Sequence, residues 1–108
     1  MVKKVKRFDI YLVALNPTVG SEIQKTRPCI VVSPDEINIL KTVIIAPLTS
    51  KGFDFVFRPS IEFDGKKGLV VLDQIRAVDK TRLVKKIGRV DADKAKEIAQ
   101  TLVEMFAL

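Results

Sequence analysis

Apolar residues along this chain fall into short, closely spaced runs rich in Val, Ile and Phe. They predict strands over Asp9 to Leu15, Pro28 to Ser33, Thr42 to Leu48, Phe55 to Arg58, Gly68 to Asp73 and Val84 to Arg89. Turn chemistry separates the runs. Asn16-Pro17 opens one loop, Ser33-Pro34-Asp35 ends a strand, and Asp64-Gly65-Lys66-Lys67-Gly68 reads as a hairpin. Asp35 to Leu40 leaves room for a short helical turn. Only the last segment has a helical period, with Ala95, Ile98, Ala99, Leu102, Val103 and Phe106 at i, i+3, i+4, i+7, i+8 and i+11. Asp91 is its expected N-cap, and the stripe is expected to lie on the strands as core packing. Short strands with one terminal helix predict a mostly β (α+β) fold, a small antiparallel barrel rather than alternating βαβ units.

The 108 residues show no repeat, linker or low-complexity tract, so the expectation is one domain over residues 1–108. Nineteen Lys and Arg against thirteen Asp and Glu leave a charge of +6, an excess that draws polyanions: nucleic acid, an acidic protein, or both. The basic N-terminus leads into Phe8-Asp9-Ile10-Tyr11 rather than a long apolar stretch. No run approaches the roughly 20 residues that span a bilayer, so a cytoplasmic protein is expected. The single Cys29 sits in an apolar run and reads as a buried, unreactive thiol.

There is no His and only this one Cys, which argues against a zinc or similar transition-metal site while leaving oxygen-ligated Mg²⁺ open in principle, and no cofactor is expected. The commonest general base is missing as well, so catalysis would have to run on Arg, Lys, Asp, Glu, Ser, Thr or Tyr. Three clusters offer such groups. The stretch from Asn16 to Pro28 is long for a connection between strands, and long loops are more often functional or mobile. In it, Pro28 biases Arg27 toward extended geometry at the mouth of the second strand, although an ordinary surface Arg is the commoner use of such a place. Next, Thr42 to Leu48 runs into Thr49-Ser50, where hydroxyls either bind a phosphate oxygen or, more commonly, bond the turn backbone. Pro47 marks an edge or a strand end. Last, Asp73-Gln74-Ile75-Arg76 follows Leu69 to Leu72, and strand alternation sets Gln74 and Arg76 on the face of Val70 and Leu72.

Together these clusters resemble the MazF/PemK ribonuclease toxins of type II toxin-antitoxin systems. The resemblance is carried by Arg7-x-Asp9-Ile10-Tyr11, Asn16-Pro17-x-x-Gly20-Ser21-Glu22-x-x-Lys25-x-Arg27-Pro28, Pro47-Leu48-Thr49-Ser50, Asp73-Gln74-Ile75-Arg76 and Asp79-x-x-Arg82-Leu83, over essentially the whole chain. It implies an SH3-like barrel with a C-terminal helix, a homodimer, a cognate antitoxin, and cleavage of single-stranded RNA at short sequences. It also implies that Arg27 and Thr49 are catalytic, that the loop of Gly20, Ser21 and Glu22 closes over the substrate, and that Gln74 and Arg76 line the RNA groove, with Lys25 and Ser50 beside them. Phe8 departs from the Gly usual in the family, and Ala14 from a frequent Asp.

The chemistry fits the residue types. RNA carries its own nucleophile in the 2′-OH, so a guanidinium and a hydroxyl that hold the phosphate supply much of what is needed. Arg is a poor proton acceptor. Glu22 is the nearest loop carboxylate for that role, or else a solvated residue that orients Arg27. Phe53, Phe55 and Phe57, at period 2, read as one core-facing row. The alternatives are a gyrase-poisoning toxin of the same fold, against which Arg27-Pro28 with Thr49 argues, and a basic barrel that binds nucleic acid without cutting it.

Overall fold

The computed structural model describes residues 4–52 and 55–108. Seven strands, β1 (Asp9–Ala14), β2 (Thr26–Val31), β3 (Thr42–Thr49), β4 (Ser60–Phe63), β5 (Lys66–Val70), β6 (Arg76–Asp79) and β7 (Leu83–Arg89), precede one helix, α1 (Ala92–Phe106). The sheet is antiparallel in the order β4-β5-β3-β2-β1-β7. Strand β3 is long enough to take two partners on one side: Thr42 to Ile45 pair with β6, and Leu48 and Thr49 with β5. The sheet curls until its two ends approach through side chains, the Phe63 ring of β4 lying against Gly88 of β7 with no room for a Cβ between them.

Strand alternation explains the core. Tyr11, Val13, Cys29, Val31, Val43 and Ile45 feed one buried cluster, while Ile10, Ile30, Val32, Ala46 and Leu48 feed a second on the opposite side of the same strands. Helix α1 closes the second cluster through Ile98, with Ala95, Leu102 and Met105 packed beside it. The Asp91 carboxylate caps α1 as expected, accepting from Lys94 N–H at 2.9 Å. The apolar stripe is wider than the contact it makes, however, and Val103 and Phe106 face solvent.

The hairpin expected at Asp64 to Gly68 forms between β4 and β5, but its turn is only Asp64 and Gly65, both at positive φ as a two-residue turn demands, and Lys66 to Gly68 belong to β5. Asp35 to Leu40 folds into consecutive turns. Four expectations are corrected. Phe55 to Arg58 is not a strand but a tight turn closed by Arg58 N–H to the Phe55 carbonyl at 3.0 Å; pairing starts only after Pro59. The core-facing Phe row fails accordingly, since Phe55 is 54% exposed; Phe53 lies outside the described residues. The strand predicted to Asp73 stops at Val70, and a 3-10 turn over Leu72–Gln74 breaks the alternation that placed Gln74 and Arg76 on one face. Pro47 marks neither edge nor end. It lies where β3 changes partners, an interruption of the ladder that tolerates a residue without N–H.

Candidate active site

Cys29 of β2 stands opposite Pro47 of β3. Continued two residues outward, that register brings Arg27 level with Thr49. The two residues sequence reasoning singled out, separated by the whole of the second loop region, thus meet at one sheet end. They line a cleft of about 260 Å³ together with Pro28, Leu48, Ser50, Ile61, Phe63, Asp64, Lys66, Lys67 and Gly68. Arg27, Lys66 and Lys67 outnumber the one acid, Asp64, so the cleft favours an anion, and a guanidinium fork suits phosphate oxygens.

Arg27 is exposed; its Nε donates to the Gln24 carbonyl at 3.2 Å, which leaves the terminal nitrogens for a ligand. Thr49 Oγ1 accepts from Lys51 N–H at 3.1 Å, so the hydroxyl also shapes the turn after β3. Gly68 lets β5 pass close by: a Cβ there would stand 2.9 Å from the Thr49 carbonyl oxygen. Behind the cleft, the Cys29 thiol is fully buried, and burial pushes its pKa up to about 12 against the pull of Arg76. That agrees with an unreactive thiol.

The loop from Leu15 to Lys25 is held by side chains from outside it as well as by bonds of its own. Gln74 Oε1 accepts from Ile23 N–H at 2.8 Å. Arg76 donates to the Leu15 carbonyl at 3.1 Å, and Arg82 to the carbonyls of Ala14 and Asn16 at 3.1 and 2.6 Å. Within the loop, Asn16 Oδ1 accepts from Lys25 N–H at 3.0 Å, with Lys25 itself at φ 70°. Gly20 takes the left-handed φ of 58° that turns the tip. The Glu22 carboxylate accepts from Val19 N–H at 2.6 Å, bracing the tip; neither Glu22 nor exposed Gly20, Ser21 and Lys25 line the cleft in this conformation. Gln74 and Arg76 likewise do not line the cleft, and each gives one polar atom to the loop backbone.

Sequence reasoning gave no role to Lys66 and Lys67. The signal was their position just past a two-residue turn, on a hairpin whose other strand shares the cleft. The sequence motif that contains Arg82 gives it no role, since nothing local ties it to a loop some 66 residues earlier. The Arg58–Asp73 pair, in a bidentate fork with both contacts at 2.8 Å, was also missed; no sequence periodicity links a turn to a 3-10 segment.

Known proteins share this fold and family. Residues 6–106 match the family described as the PemK-like, MazF-like toxin of type II toxin-antitoxin system. A curated relative, Endoribonuclease EndoA of Bacillus subtilis (strain 168), is 33% identical over 111 residues, covering 96% of each chain. Among solved structures, MazF from Deinococcus radiodurans superposes with a TM-score of 0.84 at 21% identity, over 98% of this chain and 99% of that one. An endoribonuclease in complex with its cognate antitoxin, from Mycobacterial species, gives 0.78 at 20% identity, over 93% and 92%. These likenesses confirm the curled antiparallel sheet with one C-terminal helix, and with a family match across nearly its whole length, this chain belongs to the PemK-like, MazF-like toxins of type II toxin-antitoxin systems.

Proposed function

We propose that this chain, an endoribonuclease like its relative EndoA, cuts single-stranded RNA at a short sequence without a metal ion, and so arrests translation and growth. The observation that carries the reading is the meeting of Arg27 and Thr49 in one cationic cleft. The Arg27 guanidinium binds a non-bridging phosphate oxygen, and the Thr49 hydroxyl holds another. The 2′-oxygen forms a bond to phosphorus while the bond to the 5′-oxygen breaks. One proton leaves the 2′-OH and one reaches the departing oxygen, giving a 2′,3′-cyclic phosphate and a 5′-hydroxyl. DNA, lacking the 2′-OH, is inert.

Glu22 is the proposed proton acceptor. Its carboxylate caps its own loop here, so the role requires the loop of Gly20, Ser21 and Glu22 to close on bound RNA. Lys25, Ser50, Gln74 and Arg76 bind RNA or hold the groove that does. Glu22→Gln with full turnover and an unchanged pH profile would remove Glu22 from the chemistry.

The partners follow the same reading. A cognate antitoxin with an acidic, partly disordered segment competes with RNA for the cationic cleft, and its association slows as salt rises. The protein acts as a homodimer in the cytoplasm; the solvent-facing Val103 and Phe106 offer apolar surface for a second copy to cover. Among the described residues no helix is long and apolar enough to cross a membrane.

The test is incubation of the protein and Arg27→Ala with a long single-stranded RNA in EDTA, with cut ends mapped by primer extension. Recurrent cuts at one motif by the parent protein alone are expected. Intact RNA from folded, antitoxin-free protein would favour gyrase poisoning or binding without cleavage.

A further inference from the structure

The turn between β3 and β4 keeps two adjacent apolar side chains in solvent, Phe55 at 54% and Val56 at 74% exposure. Burial does not hold them there. The turn is fastened by its own Arg58 N–H to Phe55 carbonyl bond and by the Arg58 fork onto both oxygens of Asp73. The Arg58 guanidinium also lies 5.8 Å from the centre of the Phe55 ring. Asp73 adjoins Gln74, the residue that fastens the β1–β2 loop at Ile23. Two loops are therefore tied to consecutive residues. The chain leaving the turn enters β4, which gives Ile61 and Phe63 to the cleft wall.

Reading sequence in single-stranded RNA takes an exposed aromatic face on which an unpaired base can stack. Of the described aromatic residues, only Phe55 and Phe106 are more than half exposed, and Phe106 belongs to α1, which contributes nothing to the cleft. We propose that Phe55 is the base-stacking platform of this protein, receiving an unpaired RNA base beside the scissile phosphate, and that Asp73, through Arg58, is the positioning residue that sets its place relative to Arg27 and Thr49. The proposal rests on the ribonuclease reading and names how that site selects its RNA.

The experiment measures KM and kcat on a short oligonucleotide carrying the cleavage motif, and maps cut sites on a long RNA, for the parent protein, Phe55→Ala, Phe55→Trp, Asp73→Asn and the exchanged pair Arg58→Asp with Asp73→Arg. Phe55→Ala is expected to raise KM about 5- to 150-fold, the range of one lost stacking contact, with kcat within about twofold and a relaxed preference at one motif position. Phe55→Trp keeps the parent values. Asp73→Asn raises KM in the same direction, and the exchanged pair restores it. If the parent protein cuts RNA and Phe55→Ala cuts with the same KM and motif, the platform is refuted while the ribonuclease reading stands. If Phe55→Ala loses kcat with KM unchanged, the side chain serves the chemistry and the proposal is wrong. A parent protein that cuts no RNA overturns both.

Discussion

Gly68→Ala tests whether the position of Thr49 matters to turnover. The new Cβ would stand 2.9 Å from the Thr49 carbonyl oxygen, about half an ångström inside the 3.4 to 4 Å of ordinary contact. Both partners are backbone in paired strands, with Leu69 opposite Thr49, so no flexible side chain can yield. Overpacking of this kind costs about 1–3 kcal/mol, and the reduced freedom of the unfolded chain returns about 0.4–1 kcal/mol. A net loss of about 1–2 kcal/mol would lower Tm by roughly 5–10 °C in a domain of this size. Since an ångström of misplacement can cost about a hundredfold, half that should lower kcat by about tenfold.

Gly65→Ala is the control. It strains a turn at φ 76° but meets nothing within 4 Å. It should cost about 1 kcal/mol of stability and leave kcat alone. The assay is steady-state cleavage of an oligonucleotide beside a thermal melt of each variant. Parental kcat in Gly68→Ala, or an equal kcat loss in both variants, would refute the argument that β5 holds Thr49 in place.

Gln74→Ala removes the acceptor of Ile23 N–H and should cost about 1 kcal/mol or less, since the site is only part-buried. Its main effect should be faster hydrogen exchange at Ile23 with a several-fold higher KM; unchanged Ile23 protection would show that the loop is held elsewhere. Cys29 makes a prediction about alkali. Its folded pKa of about 12 lies above the ordinary 9.0, so the unfolded chain ionises first, and stability is full below pH 9 and falls as pH rises toward 12. Between pH 9 and 10 this one group should remove about 1 kcal/mol. Urea melts of the parent protein and Cys29→Ala across that interval check it, because the substituted protein should lack that part of the slope.

Legibility in the sequence followed the reach of each interaction. The hairpin at Asp64-Gly65, the Asp91 cap and the apolar alternation of β1 to β3 are local, and the residues that signal them also make them. The Phe55 to Arg58 run misled because alternation in composition is only a proxy for burial, and Arg58 is drawn instead to a carboxylate 15 residues away. Strand β6 passed unnoticed because Arg76 to Asp79 has a single buried residue, Val78, and is fixed by β3 rather than by its own pattern. Arg27 and Thr49 were picked out by motif, whereas their proximity comes from strand register, which no spacing along the chain reveals.

The Arg76, Arg82 and Gln74 contacts to the first loop have a consequence for how such a protein can diverge. All three end on backbone groups, at Ala14, Leu15, Asn16 and Ile23. Part of the path of the loop is therefore written elsewhere in the chain, and the exposed side chains of Val19 and Ser21, unlike the bracing Glu22 and the turning Gly20, are free to be exchanged without redrawing it. Variation there can retune recognition of a substrate or an inhibitor while the scaffold beneath stays fixed.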